Sequence, residues 1–133
     1  MYQALKTGDI AAAKRLIADS PQPVPDLDRR LARLARDYAD PQLDFAVLDA
    51  RETGDAAAAI IGLSQKTGAK SFRSEEWYLV RQAGHWKLLG NFGDYDLPGY
   101  GFDKAQLDRY QQLESWVEKR TPELRKELTG CDC

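Results

Sequence analysis

The spacing of apolar and polar residues in the middle of the chain predicts a β-sheet. Two apolar-rich runs, Trp77–Val80 and Trp86–Leu89, are separated by a short polar link that contains Gly84. Such runs joined by a glycine-containing link are typical of a β-hairpin. Two earlier runs, Leu43–Glu52 and Ala56–Ser64, flank another glycine-containing turn and are predicted to be strands as well. The alanines of Ala56–Ser64 would also suit a helix, but the turn residues that bracket the run favour a strand. We therefore expect an antiparallel sheet of four consecutive strands.

The segments before the sheet have helical spacing. After a helical turn over residues 2–7, Asp9 is a suitable N-cap for a second segment and Asp26 for a third. The proline-rich stretch 20–25 between these two segments excludes helix there. The third segment has the clearest apolar stripe, which consists of Leu27, Leu31, Leu34, Ala35 and Tyr38. These helices are expected to pack their stripes on the sheet.

A long helix is predicted after the sheet. Asp103 and Gln106 form a capping box at its start. Its buried face is predicted to consist of Leu107, Tyr110, Leu113 and Val117. Pro122 suits the first position of a helix, so a separate short last helix is expected from Thr121. The order α-α-β-β-β-β-α predicts an α+β fold: a curved antiparallel four-stranded meander packed on N-terminal helices, with a C-terminal helical extension.

Composition narrows the class of protein. The chain has 133 residues, 43% hydrophobic and 30% charged, with a formal net charge of -2. This balance is typical of one globular domain, expected over residues 1–133, and gives no general attraction to nucleic acid or an acidic membrane. No apolar run approaches the roughly 18 residues of a membrane span. Because MYQALKTGD lacks the sections of a secretory signal, we expect a cytoplasmic protein or a trimmed extracytoplasmic (periplasmic or secreted) domain.

Three segments carry a resemblance to a known superfamily: GDIAAAKRLI, GDAAAAIIGLS and EEWYLVRQAGHWKLL. Together with the order of elements, they resemble the NTF2-like (cystatin-like α+β) superfamily, and within it the small bacterial branch of domains of unknown function, often secreted or lipid-anchored. The resemblance implies a core over about residues 2–92, to which 103–129 is added as a C-terminal extension. It also implies that the sheet could form a homodimer through its outer face.

The resemblance also suggests an alternative function, that of a small-molecule isomerase, dehydratase or cyclase. Enzymes of that superfamily place a carboxylate, or a histidine and a carboxylate, in an apolar cavity that raises the carboxyl pKa and strengthens hydrogen bonds to an oxyanion. No catalytic residue is assigned here, but Asp49 is a candidate carboxylate and Tyr78 a candidate oxyanion donor. Strict alternation predicts that Asp44 and Asp49 lie on opposite faces of the first strand. His85 is expected to be exposed at the hairpin turn, which disfavours an isomerase, dehydratase or cyclase.

The preferred hypothesis is a non-catalytic domain that binds a small apolar ligand or a protein partner. Residues 90–102 form a loop rich in glycine and aromatic residues, and so long a loop in a compact domain is often functional. The curved sheet and this loop are predicted to bind, with wall or rim residues Tyr78, Trp86, Tyr95 and Tyr100. The alternative is that the aromatic residues pin the loop over the core. No cofactor is expected, since no P-loop or dinucleotide fingerprint is present.

Arginines give the third helical segment a basic side. They are Arg29, Arg30, Arg33 and Arg36. A solvated face is expected opposite an apolar stripe, and the alternative is a docking surface for an acidic partner. Nucleic acid is not expected as a partner, because the chain is acidic overall and does not interleave aromatic with basic residues.

The two cysteines, Cys131 and Cys133, lie at the end of the chain. The chain has no Cys-x-x-Cys motif and no companion histidine cluster, so no metal site is expected. Free thiols in a tail are the main hypothesis. A local or intermolecular disulfide, or half of a soft-metal site, is the alternative.

Overall fold

The computed structural model describes residues 2–18, 27–65, 72–89 and 102–129. The helices are α1 (Tyr2–Lys6), α2 (Ile10–Arg15), α3 (Leu27–Tyr38) and α4 (Lys104–Thr129). The strands are β1 (Leu43–Thr53), β2 (Ala56–Gln65), β3 (Phe72–Gln82) and β4 (His85–Leu88). All neighbouring strands are antiparallel, and the sheet order is β1-β2-β3-β4. The predicted α+β meander is therefore confirmed.

The β3–β4 hairpin sets which side chains share a face of the sheet. Its turn consists of Ala83 and Gly84, with φ of 50° and 77°, and two consecutive residues at positive φ are the mark of a type I′ turn. The turn pairs Arg81 with Trp86. Because side chains alternate along a strand, Trp86 shares a face with Arg81, whereas Tyr78 points to the opposite face.

Helices cover both faces of the sheet. We call the face that carries α1, α2 and α3 the N-helix face, and the other the α4 face. On the N-helix face, the helices and the sheet bury one apolar cluster, which includes Leu5, Leu31, Tyr38, Ile61, Leu63 and Trp77. On the α4 face, a second cluster includes Ile60, Tyr78, Val80, Tyr110, Leu113 and Val117. The C-terminal helix therefore packs on the face opposite to the N-terminal helices.

A bulge in β1 corrects one prediction. The β1–β2 register shifts between Val47 and Asp49, and the extra residue reverses the alternation after it. Asp44 pairs with Ser64 and Asp49 with Ile60, so both aspartates belong to the α4 face. The prediction that they lie on opposite faces was wrong, because it assumed an unbroken period of two.

The C-terminal helix corrects a second prediction. The capping box is confirmed: the Gln106 N–H donates to Asp103 Oδ1 at 2.9 Å, and the Asp103 N–H donates to Gln106 Oε1 at 3.2 Å. No new helix starts at Thr121, however, because α4 continues through Pro122. Proline removes one backbone donor, but Leu124 beyond it is buried on the sheet. Packing of the helix's apolar stripe thus outweighs the local penalty.

Candidate functional site

An apolar groove crosses the N-helix face and has a cavity volume of about 230 Å³. Its described lining consists of Leu16, Val47, Ala59, Ile61, Trp77, Leu79, Trp86 and Leu88. The floor is almost completely buried, since Ile61 is 4% and Trp77 9% exposed. The edges are open: Val47 is 66% and Leu16 37% exposed. The groove therefore presents apolar surface to solvent beside a well-packed floor.

The two open edges come from different parts of the chain. Val47 lies on β1, which is an edge strand of the sheet. Leu16 lies at the other side, because residues 16–18 run alongside β4 after α2 ends. The Leu88 N–H donates to the Leu16 carbonyl at 2.8 Å, and the Ala18 N–H donates to the Leu88 carbonyl at 2.7 Å. These bonds hold Leu16 at the groove instead of within α2.

Charged side chains lie at the hairpin end of the groove. The Arg81 guanidinium lies over the Trp86 ring, 4.6 Å from its centroid, which is within the range of a cation–π contact. Arg81 Nη2 is 3.7 Å from Glu52 Oε2, and these side chains are 44% and 64% exposed. This separation exceeds a hydrogen bond, so the pair is a loose surface ion pair of small energy.

Charged side chains also lie at the opposite end of the groove. Glu75 pairs with Ile61 across β2 and β3, so it lies on the same face, next to the floor. The Tyr38 hydroxyl donates to Glu75 Oε2 at 2.7 Å. Arg73 Nη2 is 3.7 Å from Glu75 Oε1. At each end of the groove an arginine and a carboxylate thus lie 3.7 Å apart, and the carboxylate beside α3 also accepts a hydrogen bond.

Asp49 lies away from the groove and links β1 to α4. The Arg120 Nε–H donates to Asp49 Oδ2 at 2.9 Å. This charge-assisted hydrogen bond is the main cause that lowers the Asp49 pKa below its ordinary value. Arg120 also donates to Glu123 at 3.0 Å and Glu127 at 3.3 Å. The arrangement is that of an ionic clamp between strand and helix, and Asp49 is held ionised in it.

Tyr78 is buried beneath α4, on the face opposite to the groove. It is 6% exposed and makes an edge-to-face contact with Tyr110 at 6.4 Å between ring centroids. Burial raises its pKa well above the ordinary value, and the carboxylates of Glu114, Glu76 and Glu118 raise it further. The phenol is therefore neutral across the physiological range.

The other residues that the sequence predicted for a functional site do not lie together. His85 is exposed at the hairpin turn, as expected, and Trp86 lines the groove. Tyr95 and Tyr100 lie outside the described residues, as do Cys131 and Cys133. Three of the four arginines on α3 are exposed and Arg30 is half-buried. The structure thus brings Trp86, but not Tyr78, Asp44 or Asp49, to the groove.

Sequence reasoning missed Leu16, Val47 and Arg81 as residues of this region. Leu16 follows α2, and its place at β4 depends on a parallel bridge between Ile17 and Leu88, which are far apart in the sequence. Val47 lies within the predicted first strand, and nothing in its local sequence indicates that its side chain would be left open to solvent. Arg81 carried one usable signal, since a two-residue turn at Ala83-Gly84 places it opposite Trp86.

Two searches of the described residues were negative. No group of three or more histidine, cysteine, aspartate or glutamate side chains in these ranges could hold a metal ion. Of the helices within the described part of the chain, none combines the length and the apolar character needed to cross a membrane.

Comparison with known proteins returns a structural match. No protein-family model matches the chain, and no curated protein matches it in sequence. Its structure is similar to a 2.00 Å crystal structure from Campylobacter jejuni named "Putative NTF2-like transpeptidase". The two chains are 13% identical, with a TM-score of 0.52, over 65% of this chain and 88% of the Campylobacter chain. At this identity the likeness concerns the fold alone.

Proposed function

We propose that this chain, which has an NTF2-like fold, binds a small apolar ligand in its groove and does not act on it chemically. The observation that carries the proposal is the open apolar lining: Val47 is 66% and Leu16 37% exposed beside a buried floor. An exposed apolar surface of this kind is a common mark of a binding site. A ligand that covers it gains about 25 cal/mol for each Å² of apolar surface removed from water.

The size of the groove favours a small molecule. Its volume of about 230 Å³ is slightly below the roughly 300–1,000 Å³ of sites for drug-sized ligands. A short alkyl chain or a single ring system fits such a volume. A helix or a protein face would need a longer apolar surface than the groove offers.

The positions of the acidic side chains support a non-catalytic role. Asp44 and Asp49 are on the α4 face, and Asp49 is engaged by Arg120 at 2.9 Å. Tyr78 is buried on that same face. A pocket carboxylate beside an oxyanion donor, which an isomerase or dehydratase would need, is therefore not formed by the residues proposed for it.

The test is calorimetric titration of the purified chain with a series of neutral alcohols: butanol, hexanol and octanol. Each buried methylene is worth about 0.8 kcal/mol, so the affinity is expected to rise about fourfold per methylene until the groove is full. Val47→Asp should weaken octanol binding about fivefold or more. Ala46→Asp is the matched control, since Ala46 is also exposed on β1 but belongs to the α4 face.

Two results would overturn the proposal. One is the absence of octanol binding at millimolar concentration in a folded sample. The other is an equal effect of the two aspartate substitutions. Light scattering on the same samples tests a different occupant: if Val47→Asp converts a dimer to a monomer and Ala46→Asp does not, the groove is an interface between two copies of the chain.

A further inference from the structure

The hairpin end of the groove has the features of an anion site. Arg81 lies two residues from the groove residue Leu79 on β3, and both side chains are on the N-helix face. Two strand residues span about 7 Å, so a ligand in the groove reaches the guanidinium. The Trp86 ring, which lines the groove, also packs under that guanidinium at 4.6 Å. Apolar wall and cation are thus parts of one surface.

The guanidinium retains capacity for a ligand. Within the described residues, the carboxylate near it is that of Glu52, at 3.7 Å and on a side chain that is 64% exposed. That distance is too long for a hydrogen bond. A guanidinium offers five N–H donors in a planar fork that matches a carboxylate. The contact with Trp86 restrains the guanidinium, which lowers the entropy lost when an acceptor binds.

The difference between the two ends of the groove gives the ligand a direction. Glu75 lies beside the floor residue Ile61 and accepts a hydrogen bond from Tyr38 at 2.7 Å. Glu75 and Arg81 are six residues apart on β3, or about 20 Å of strand. Arg73 Nη2 is 3.7 Å from Glu75 Oε1, so the two charges at that end largely offset each other. The Arg81 guanidinium, in contrast, lies over the groove residue Trp86, so an anionic head group is attracted at the Arg81 end. A neutral or cationic head group gains nothing from Arg81.

We infer that the groove takes an amphipathic anion, a short alkyl or aryl chain ending in a carboxylate, with the carboxylate at Arg81 and the apolar part over Trp86, Leu79 and Leu88. This inference rests on the proposed function, because it assumes that the groove holds a small ligand. It adds the chemical class of that ligand. Glu52 is then a competitor that weakens anion binding without preventing it.

The experiment compares octanoate, octanol and octylammonium by calorimetry at pH 7.5 and low salt. In the unsubstituted chain, octanoate should bind about fivefold more tightly than octylammonium, the scale of a partly exposed ion pair. Arg81→Gln should abolish this preference and leave octanol binding within about twofold. Glu52→Gln should increase the preference, because the competing carboxylate is gone.

Arg73→Gln is the matched control. Arg73 lies on the same strand and the same face, is 70% exposed, and pairs with Glu75 at 3.7 Å. The substitution removes one positive charge, as Arg81→Gln does, but leaves the hairpin end of the groove unchanged. Circular dichroism of each variant confirms folding before titration.

The possible outcomes distinguish a failure of the anion site at Arg81 from a failure of the proposed function. If octanol binds but octanoate and octylammonium bind equally, the anion site is refuted and the apolar groove stands. The same holds if Arg81→Gln and Arg73→Gln reduce octanoate binding alike. If none of the three ligands binds at millimolar concentration, the proposed function fails, and the anion site fails with it.

Discussion

Replacing Ala83 by asparagine should stabilise the protein. Ala83 has a φ of 50° and Gly84 a φ of 77°, so both turn residues are left-handed. For an L-residue with a Cβ, this conformation costs roughly 1–2 kcal/mol. Glycine at the second position avoids that cost, but alanine at the first does not. Asparagine tolerates the left-handed region, and Asn-Gly is the preferred pair for a type I′ turn.

The left-handed penalty and the conformational entropy of glycine set the expected change in unfolding free energy for each variant. Ala83→Asn should recover part of the left-handed penalty, about 0.5–1 kcal/mol of the unfolding free energy. Ala83→Gly recovers it as well, but glycine loses about 0.5–1 kcal/mol more conformational entropy on folding. Its net effect should therefore be a stabilisation of between zero and about 1.5 kcal/mol. Gly84→Ala should cost about 1 kcal/mol or more, because it introduces the same penalty at a second position.

Equilibrium urea unfolding, followed by circular dichroism at 25 °C, measures the four free energies. Ala83→Asn should be more stable than the unsubstituted chain, Ala83→Gly at least as stable as it, and Gly84→Ala less stable. For a chain of this size, 1 kcal/mol corresponds to roughly 3–5 °C in Tm, so thermal scans provide a second measurement.

Ala32→Gly is the control for the intrinsic cost of glycine. Ala32 is exposed in the middle of α3, where glycine costs about 0.8–1 kcal/mol relative to alanine. If Ala83→Gly destabilises the protein as much as Ala32→Gly, Ala83 is not left-handed. The β3–β4 register, and with it the placement of Arg81 beside Trp86, would then lose its support.

Three further predictions concern α4. Pro122→Ala should stabilise the protein by about 1–3 kcal/mol, since the helix is continuous there and alanine restores a backbone donor; a loss of stability in urea unfolding would contradict this. Tyr110→Phe should cost about 1 kcal/mol in the same assay, because the hydroxyl of this 1%-exposed residue donates to the Leu79 carbonyl at 2.7 Å. The hydrogen bond from Arg120 lowers the Asp49 pKa below 3.8 in the folded state, so it contributes stability that is complete above the unfolded pKa and lost as pH falls through the folded pKa. Asp49→Asn should therefore destabilise the chain by a constant amount from pH 5 to 7 and by a shrinking amount below about pH 4, and a difference independent of pH would refute the clamp.

Local signals in the sequence suffice to predict the kinds and order of most elements. The Trp77 and Trp86 hairpin and the capping box at Asp103 depend on residues close together in the chain, where turn chemistry and side-chain periodicity act directly. The same local signals placed β1 and β2, and the α+β order follows from them. The two predictions that were wrong, an unbroken alternation in β1 and a new helix from Thr121, share a cause. The bulge at Leu48 and the passage of α4 through Pro122 are decided by packing against distant residues, which outweighs local preference.

The position of the groove, in contrast, depends on how distant segments pack together. Tyr78 and Trp86 belong to one hairpin, yet a single alternation of the pleat sends Tyr78 under α4 and Trp86 into the groove. Leu16 and Val47 are 31 positions apart in the sequence and become the two edges of one groove. Which helix covers which face of the sheet depends on the sum of many weak apolar contacts between distant segments. A local pattern does not contain that sum, so the face left open is known only once the chain is folded.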